Sequence, residues 1–261
     1  MAFKHKAGKA KDIHAYICTP AYDGKVESDY SQSMAEAAFC APLYGIRITA
    51  GVMGNGAFID LARNVYVKKF IEEFTDCTHL FFIDADLKFE ARGFIGLLQS
   101  GLPICAGAYR RRQDPEVYPL RFAANPNDGT FWVDNGWVIC DRVATGFLCI
   151  RRDVVEAMAE GAPKIKVAGQ NGPVPWVFHT SFDGEWAPKD GAAFIGEDYG
   201  FCDDYVKRFG EYIPVWPNLT FRHSGFEGNL SAFLERQKQA QLAGTGAREV
   251  TPAASHLSDV A

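Results

Sequence analysis

Two aspartates one residue apart, in Asp84-Ala85-Asp86, close an unbroken apolar run, His79-Leu80-Phe81-Phe82-Ile83. On an extended chain, side chains two residues apart point the same way, so both carboxylates are expected to face one site. Neighbouring carboxylates repel and are costly to bury; a divalent cation with oxygen ligands, Mn2+ or Mg2+, is the simplest resolution. His223 follows a late apolar segment and precedes Ser224-Gly225. It is a further candidate ligand, because manganese accepts imidazole nitrogen beside carboxylate oxygen. Glu197 and Asp198 open a predicted helix, where backbone N–H groups favour carboxylates. Asp198, facing a cleft there, is placed to take a proton from a hydroxyl, which is worth about 10²–10⁴ in rate. Blander roles compete: a solvated turn for the aspartate pair, a hydrogen-bonded surface imidazole for His223, a helix cap for Glu197.

The elements around these residues follow from hydrophobic pattern. Ile13 to Thr19 reads as a strand ending at Pro20 and turning through Ala21-Tyr22-Asp23-Gly24. A helix is expected over Ser31 to Leu43 and a strand over Ile46 to Val52. Ile59, Ala62, Tyr66, Phe70 and Phe74 then recur at helical spacing, leaving Arg63 and Asn64 off the buried stripe. The run before Asp84 has the unbroken apolar character of a central strand covered on both faces. A helix over Ala91 to Gln99 and a strand over Pro103 to Ala108 follow. The first half thus alternates strand and helix, which predicts an α/β protein with a largely parallel central sheet flanked by helices. Open sheets of this kind bind ligands beyond the C-terminal ends of their strands, where Asp84 and Asp86 fall.

The second half predicts a smaller, mixed region. Strands are expected over Phe131 to Cys140 and Val143 to Ile150, with a helix over Asp153 to Glu160. A loop-rich stretch from Gly161 to Ala193 is a candidate substrate-facing wall. A helix opens at Gly196-Glu197-Asp198 and closes at Gly210. Short strands at Tyr212 to Val215 and Leu219 to Arg222, then a helix over Ser231 to Leu242, complete the pattern. The organisation expected is a basic N-terminal tail over 1–12, one catalytic domain over 13–236 and a C-terminal tail over 237–261. Within the domain, 13–110 holds the alternating strand–helix pattern and 111–236 the mixed region that carries Glu197, Asp198 and His223.

At 261 residues and a formal net charge of −5, the chain is not built to cover nucleic acid with its whole surface. Two local basic clusters remain: Lys4, Lys6, Lys9 and Lys11 in the N-terminal tail, and Arg110-Arg111-Arg112. Seven cysteines, odd in number and without a C-x-x-C pair, suit small buried hydrophobes in a reducing compartment. No apolar segment approaches membrane-spanning length, so a cytoplasmic location without membrane insertion is expected.

Six short motifs occur in order: Thr19-Pro20-Ala21-Tyr22, Ala62-Arg63-Asn64, Phe82-Ile83-Asp84-Ala85-Asp86, Thr145-Gly146-Phe147, Gly196-Glu197-Asp198 and His223-Ser224-Gly225. Together they resemble the GT-A glycosyltransferases. Within these they are most similar to the Ala-Arg-Asn-containing branch of the Anp1/Van1/Mnn9 mannosyltransferases and their viral and bacterial relatives. The likeness spans about Ile13 to Gly228 and implies that 13–110 is the nucleotide-binding half and 111–236 the acceptor and catalytic half. It implies a Rossmann-like GT-A fold and a nucleoside-diphosphate sugar as donor, with UDP favoured. By the same resemblance, Thr19, Pro20 and Tyr22 would line the nucleotide site, with Tyr22 stacking on the base. Arg63 would reach the nucleotide or sugar, and Gly146 would lie near the donor sugar. Asp84 would contact the ribose or a metal-bound water, and Asp86 and His223 would bind the metal. Asp198 matches the catalytic carboxylate of inverting members; in a retaining enzyme it would bind a sugar instead.

Two enzymatic rivals fit less well. A haloacid-dehalogenase-like phosphotransferase sets its nucleophilic aspartate on the first strand, whereas two other strands precede Asp84. Gly51-Val52-Met53-Gly54-Asn55-Gly56 lacks the glycine order of a dinucleotide fingerprint. A non-catalytic nucleotide-sugar binding module of the same shape is the alternative outside enzymes. The hydroxyl acceptor is expected to be a saccharide, with a hydroxymethylated DNA base as the lesser option through Arg110 to Arg112.

Overall fold

The computed structural model describes residues 12–54, 58–183, 185 and 189–242. The four N-terminal lysines, Gly56 and the expected tail beyond residue 242 lie outside the described residues. The chain begins β1 (Ile13–Ala21), α1 (Ser28–Cys40), β2 (Ile46–Gly54), α2 (Ile59–Glu72) and β3 (His79–Ile83). Next come the two-residue β4 (Leu87–Lys88), α3 (Ala91–Gln99), β5 (Ile104–Gly107) and β6 (Leu120–Phe122). They are followed by β7 (Val133–Asp134), β8 (Trp137–Val143), β9 (Phe147–Arg151) and α4 (Arg152–Gly161). Two short hairpins, β10 (Lys164–Ile165) with β11 (Val174–Pro175) and β12 (Ser181–Phe182) with β13 (Phe194–Ile195), lead into α5 (Glu197–Phe209). The described chain ends with β14 (Ile213–Trp216), β15 (Thr220–His223), β16 (Phe226–Asn229) and α6 (Leu230–Leu242).

The nine-stranded main sheet has the order β2-β1-β3-β9-β5-β14-β8-β6, with β7 attached to β8. β1 pairs in parallel with β2 and β3, and β5 with β14. β9 runs antiparallel between β3 and β5, and β8 runs antiparallel to β14. The sheet is therefore more mixed than the alternating sequence pattern suggests, although β1, β2, β3, β5 and β14 all run one way. This large sheet flanked by helices makes an α/β protein consistent with a Rossmann-like GT-A fold. β9, from the second half of the sequence, lies in the middle of the sheet built by the first.

Alternation along the strands divides the apolar residues between two layers. Tyr16, Cys18, Leu80, Phe82, Leu148 and Ile150 pack on one face with Tyr66, Phe70, Val154 and Phe201 from α2, α4 and α5. Ile17, Phe81, Ile83, Phe147 and Cys149 pack on the other with Tyr30, Phe94 and Leu98 from α1 and α3. All seven cysteines are free and all but half-buried Cys40 are buried, as small core residues should be. Among the described residues no helix is long and apolar enough to cross a membrane.

Several local expectations change. The segment read as one strand over Phe131 to Cys140 is a hairpin, folded at Asn135 (φ 50°) and Gly136 (φ 83°). Two successive positive φ values are what a two-residue primed turn requires, and Asn-Gly is its commonest sequence. The strand expected over Val143 to Ile150 is interrupted by the turn at Ala144-Thr145-Gly146, between β8 and β9. α1 ends at Cys40 and a 3-10 turn, Ala41–Tyr44, takes over because Pro42 cannot continue the helical hydrogen bonds. α2 buries Ala62 through Lys68 without interruption, so Arg63 and Asn64 are interior, not spare surface positions. Residues 237–242, assigned to the tail from sequence, are the last turns of α6.

Candidate active site at the C-terminal end of β3

β3 delivers Asp84 and Asp86 to the C-terminal end of the main sheet, but the chain does not stay extended. Ala85 and Asp86 form a turn, and the Leu87 N–H lies 3.3 Å from the Asp84 carbonyl. The two-residue rule for strands therefore fails here, and the carboxylates go to different partners. Asp84, Asp86 and His223 do not have all their ligand atoms within 4.8 Å of one another. The structure brings Asp86 and His223 together and gives Asp84 a separate role.

Asp86 meets His223 through the small β4-β15-β16 sheet. β4 pairs with β15 so that Leu87 lies opposite His223, one residue past Asp86. The hairpin between β15 and β16 turns at Ser224 (φ 44°) and Gly225 (φ 92°), and the Ser224 N–H donates to the Asp86 carbonyl at 3.2 Å. Asp86 Oδ2 ends 3.2 Å from His223 Nε2, 3.1 Å from Ser224 Oγ and 3.1 Å from Arg112 Nη1. His223 Nδ1 is 2.9 Å from the Arg110 carbonyl. A carbonyl only accepts, so Nδ1 carries a proton, and in the neutral ring the Nε2 lone pair would point at a carboxylate. Such a pair is satisfied by a second proton or by a cation between the two atoms, and a histidine held through its far nitrogen is the usual arrangement of a metal ligand. The donor set of Asp86 and His223 thus fits a manganese-type ion.

The electrostatics of the protein alone favour the second proton, drawing His223 toward its charged form and Asp86 toward its carboxylate. Burial by itself would raise the Asp86 carboxyl, but His223, Arg112 and Ser224 outweigh it and hold it below its ordinary range. Burial would lower His223, and the Asp86 hydrogen bond and charge, together with the Arg110 carbonyl, raise it instead.

Asp84 is held from the other side. Its N–H donates to the Gly146 carbonyl at 2.9 Å, fixed by the pairing of Ile83 with Phe147 across β3 and β9. Tyr109, just past β5, donates its hydroxyl to Asp84 Oδ2 at 3.2 Å and accepts the Gly146 N–H at 3.1 Å. Burial foremost, and then the Asp84 charge, push the Tyr109 phenol well above its usual range, so it remains a donor. A Cβ on Gly146 would sit 2.2 Å from Asp84 Oδ2 and 2.3 Å from the Tyr109 hydroxyl. Only glycine allows this approach. The adjoining Thr145 hydroxyl is buried without a hydrogen-bond partner.

Arg63 links Asp84 to the start of α5. It is only 3% exposed, donates Nη1 to Glu197 Oε1, and lies with Nη2 3.4 Å from Asp84 Oδ1. Burial opposes its charge, but Asp84, Glu197 and Asp198 more than compensate, so the guanidinium stays protonated. Asn64 next to it clamps the 177–178 backbone. Its Oδ1 accepts from the Val177 and Phe178 N–H groups at 2.8 and 2.9 Å, and its Nδ2 donates to the Phe178 carbonyl at 2.7 Å. Asp198 follows Glu197 in the first turn of α5, after the N-cap Gly196. Burial first, then the neighbouring Glu197 charge, push its carboxyl up to about 6, against the pull of Arg63.

The residues expected at the nucleotide loop are split. Thr19 belongs to β1 and is fully buried, its hydroxyl 2.6 Å from that of Tyr30 and its carbonyl accepting from Tyr66 at 2.9 Å. β1 also includes Pro20, which is half-buried. Tyr22, just beyond, is 78% exposed. Of the arginine triplet, Arg110 is engaged by Asp114 at 2.6 Å and Arg112 by Asp86, leaving Arg111 as the freely exposed member. Sequence reasoning missed Tyr109 altogether, and also Glu27, whose Oε1 lies 2.8 Å from the Ser224 hydroxyl. Neither position carries a sequence signal, because each reaches the site through a ladder or turn distant in the chain.

No model of a known protein family matches this chain, and no curated protein matches it. Among solved structures it is similar to A197 from STIV at 16% identity and a TM-score of 0.45, over 81% of this chain and 85% of that one. It is also similar to a glycosyltransferase involved in the glycosylation of the major capsid of PBCV-1, at 9% identity and a TM-score of 0.28. That likeness covers 56% of this chain and 63% of the other.

Proposed function

We propose that this protein is a metal-dependent glycosyltransferase that moves a sugar from a nucleoside-diphosphate sugar, with UDP favoured, to a hydroxyl of a saccharide acceptor. The observation that carries the reading is the Asp86–His223 pair, whose imidazole is held through Nδ1 with Nε2 3.2 Å from a carboxylate oxygen at the C-terminal end of a central strand. When bound, Mn2+ or Mg2+ supplies positive charge for the departing diphosphate, worth several kcal/mol.

The chain's own residues do the rest. Asp86 and His223 hold the ion. Asp84 is oriented by Arg63, Tyr109 and the Gly146 turn, which fix its carboxylate toward the donor. Tyr22 offers an exposed ring for the base at the end of β1. Asp198, held near 6, is ionised at neutral pH yet basic enough to take the proton of an acceptor hydroxyl at its carboxylate oxygen. With Arg110 tied to Asp114 and Arg112 held beside Asp86 within the site, Arg111 alone of the triplet is left for a DNA phosphate backbone, so a saccharide suits the site better.

The test is a panel of nucleotide sugars assayed for release of nucleoside diphosphate with and without Mn2+. Metal-dependent release from one donor is expected. Tight nucleotide binding with no turnover would identify a binding module instead, and release indifferent to the metal would sink the proposal.

A further inference from the structure

A single oxygen of Asp86 is crowded. Its Oδ2 has His223 Nε2 at 3.2 Å, Ser224 Oγ at 3.1 Å and Arg112 Nη1 at 3.1 Å. Two of these neighbours are built into the fold. His223 is pinned by the β4–β15 ladder and the Arg110 carbonyl, and Ser224 by its N–H to the Asp86 carbonyl. Arg112 is different: its side chain is 58% exposed, and the Asp86 contact is what holds its head group in the site.

The backbone just before Arg112 is nonetheless fixed. The Arg110 carbonyl accepts from His223, and the Arg111 N–H donates to the Val117 carbonyl at 2.8 Å. The Arg110 side chain is tied to Asp114 and lies over the Phe226 ring at 5.3 Å. The main chain therefore holds Arg112 beside Asp86 while its long side chain remains free to swing.

A guanidinium 3.1 Å from a carboxylate oxygen takes up the position and the charge role of a bound cation there. A divalent ion and Arg112 would repel each other at that oxygen. Displaced into solvent-facing space at the mouth of the site, the guanidinium has the fork geometry and permanent charge that suit a diphosphate. We propose that Arg112 is a tethered, displaceable counter-ion: it neutralises Asp86 before metal binds, and passes to the donor's diphosphate once metal takes its place. This rests on the glycosyltransferase reading and adds to it a residue that competes with the metal yet supports the nucleotide.

The two halves have opposite signs, which a purely structural role would not produce. Mn2+ binding to the protein without nucleotide, followed by electron paramagnetic resonance of the free ion, should tighten about fivefold in Arg112→Ala. Uridine diphosphate binding at saturating Mn2+, followed by calorimetry, should weaken about tenfold in the same variant. Arg112→Lys should lie between wild type and alanine on both readouts, keeping the charge without the fork. Unchanged or weaker Mn2+ binding in Arg112→Ala overturns the counter-ion role, and unchanged uridine diphosphate affinity overturns the transfer to diphosphate. Asp86→Ala separates this from the underlying reading. If that variant keeps wild-type Mn2+ affinity, the metal site itself is refuted. If it loses Mn2+ while Arg112→Ala fails to tighten it, only the counter-ion role is.

Discussion

The two ends of the main sheet each carry a histidine–aspartate pair, and the pairs are built to different ends. At the N-terminal end of β1, His14 Nδ1 lies 2.9 Å from Asp76 Oδ2 and its Nε2 lies 2.9 Å from the Thr49 hydroxyl. A hydroxyl can donate, so a neutral ring protonated on Nδ1 satisfies both contacts with no cation. Asp76 also has Arg47 at 3.3 Å, and Cys77 beside it is kept as a thiol, pushed up to about 11 by burial and then by Asp76. His14, Asp76 and Cys77 have the compactness of a metal cluster, with ligand atoms within 4.8 Å of one another, yet each already has a partner. At the other end Asp86 and His223 bring two ligand atoms together, and the imidazole is held through Nδ1 with Nε2 facing a carboxylate oxygen, a contact that a proton or a cation must bridge. Proximity of ligand types is the weaker guide. What each nitrogen must do, once its neighbour is known to accept only, is the stronger one.

The sharpest break between the two ends should come from removing each aspartate. Asp86→Ala should lower metal-dependent turnover by about 10³-fold or more, in keeping with the several kcal/mol expected of the ion. Asp76→Ala should leave turnover per folded molecule at the wild-type level. If the two variants lose turnover equally, the assignment of roles to the two ends is wrong.

Asp198→Asn should cost about 10²–10⁴ in rate and remove an acidic limb centred near pH 6 from the pH–rate profile. The same change should stabilise the protein at neutral pH. Burial raises Asp198 above its ordinary value of 3.8, so the fold favours the protonated form. Its favourable contribution is complete below about pH 4 and is lost as pH rises through about 6, where ionisation costs roughly 2–3 kcal/mol. Urea denaturation of both proteins at pH 4 and pH 8 would show a gap only at the higher pH. A gap of the opposite sign would mean the carboxylate is needed by the fold.

Smaller effects sharpen the contrast further. His14→Ala should cost roughly 1–3 kcal/mol of stability with an unchanged kcat, since it strands Thr49 and Asp76 but touches nothing at the opposite end. Gly146→Ala should destabilise by about 1–3 kcal/mol and also lower activity, because the added methyl displaces the Asp84 carboxylate and the Tyr109 hydroxyl. Thr145→Val should change thermal stability by less than about 1 kcal/mol, since the hydroxyl has no partner to lose. Any weakening of donor binding in that variant would show that the hydroxyl serves the ligand.

Much of this was legible in the chain itself. The apolar run before Asp84 had to be a covered strand, and the Gly196-Glu197-Asp198 start had to open a helix, because each is decided by residues within one turn or one strand. The Asn135-Gly136 turn carried an equally local signal that the unbroken strand reading passed over. The parting of Asp84 from Asp86 was not legible. It depends on His223 and Ser224, the latter 138 residues from Asp86, arriving through the β4–β15 ladder. The burial of Arg63 was hidden for the same reason, since its partner Glu197 lies 134 residues away and α2 is covered by a segment near residue 177.

By itself the sequence determined which residue types stand at the strand end and helix start, and hence that carboxylates and an imidazole are available for chemistry. Only the tertiary structure decided which carboxylate meets the imidazole, which is tied to an arginine, and which is left protonatable near neutrality. The physical reason is that periodicity and turn preference act over a few residues, whereas burial, ion pairing and the direction of a lone pair are properties of neighbours brought together by long-range strand pairing.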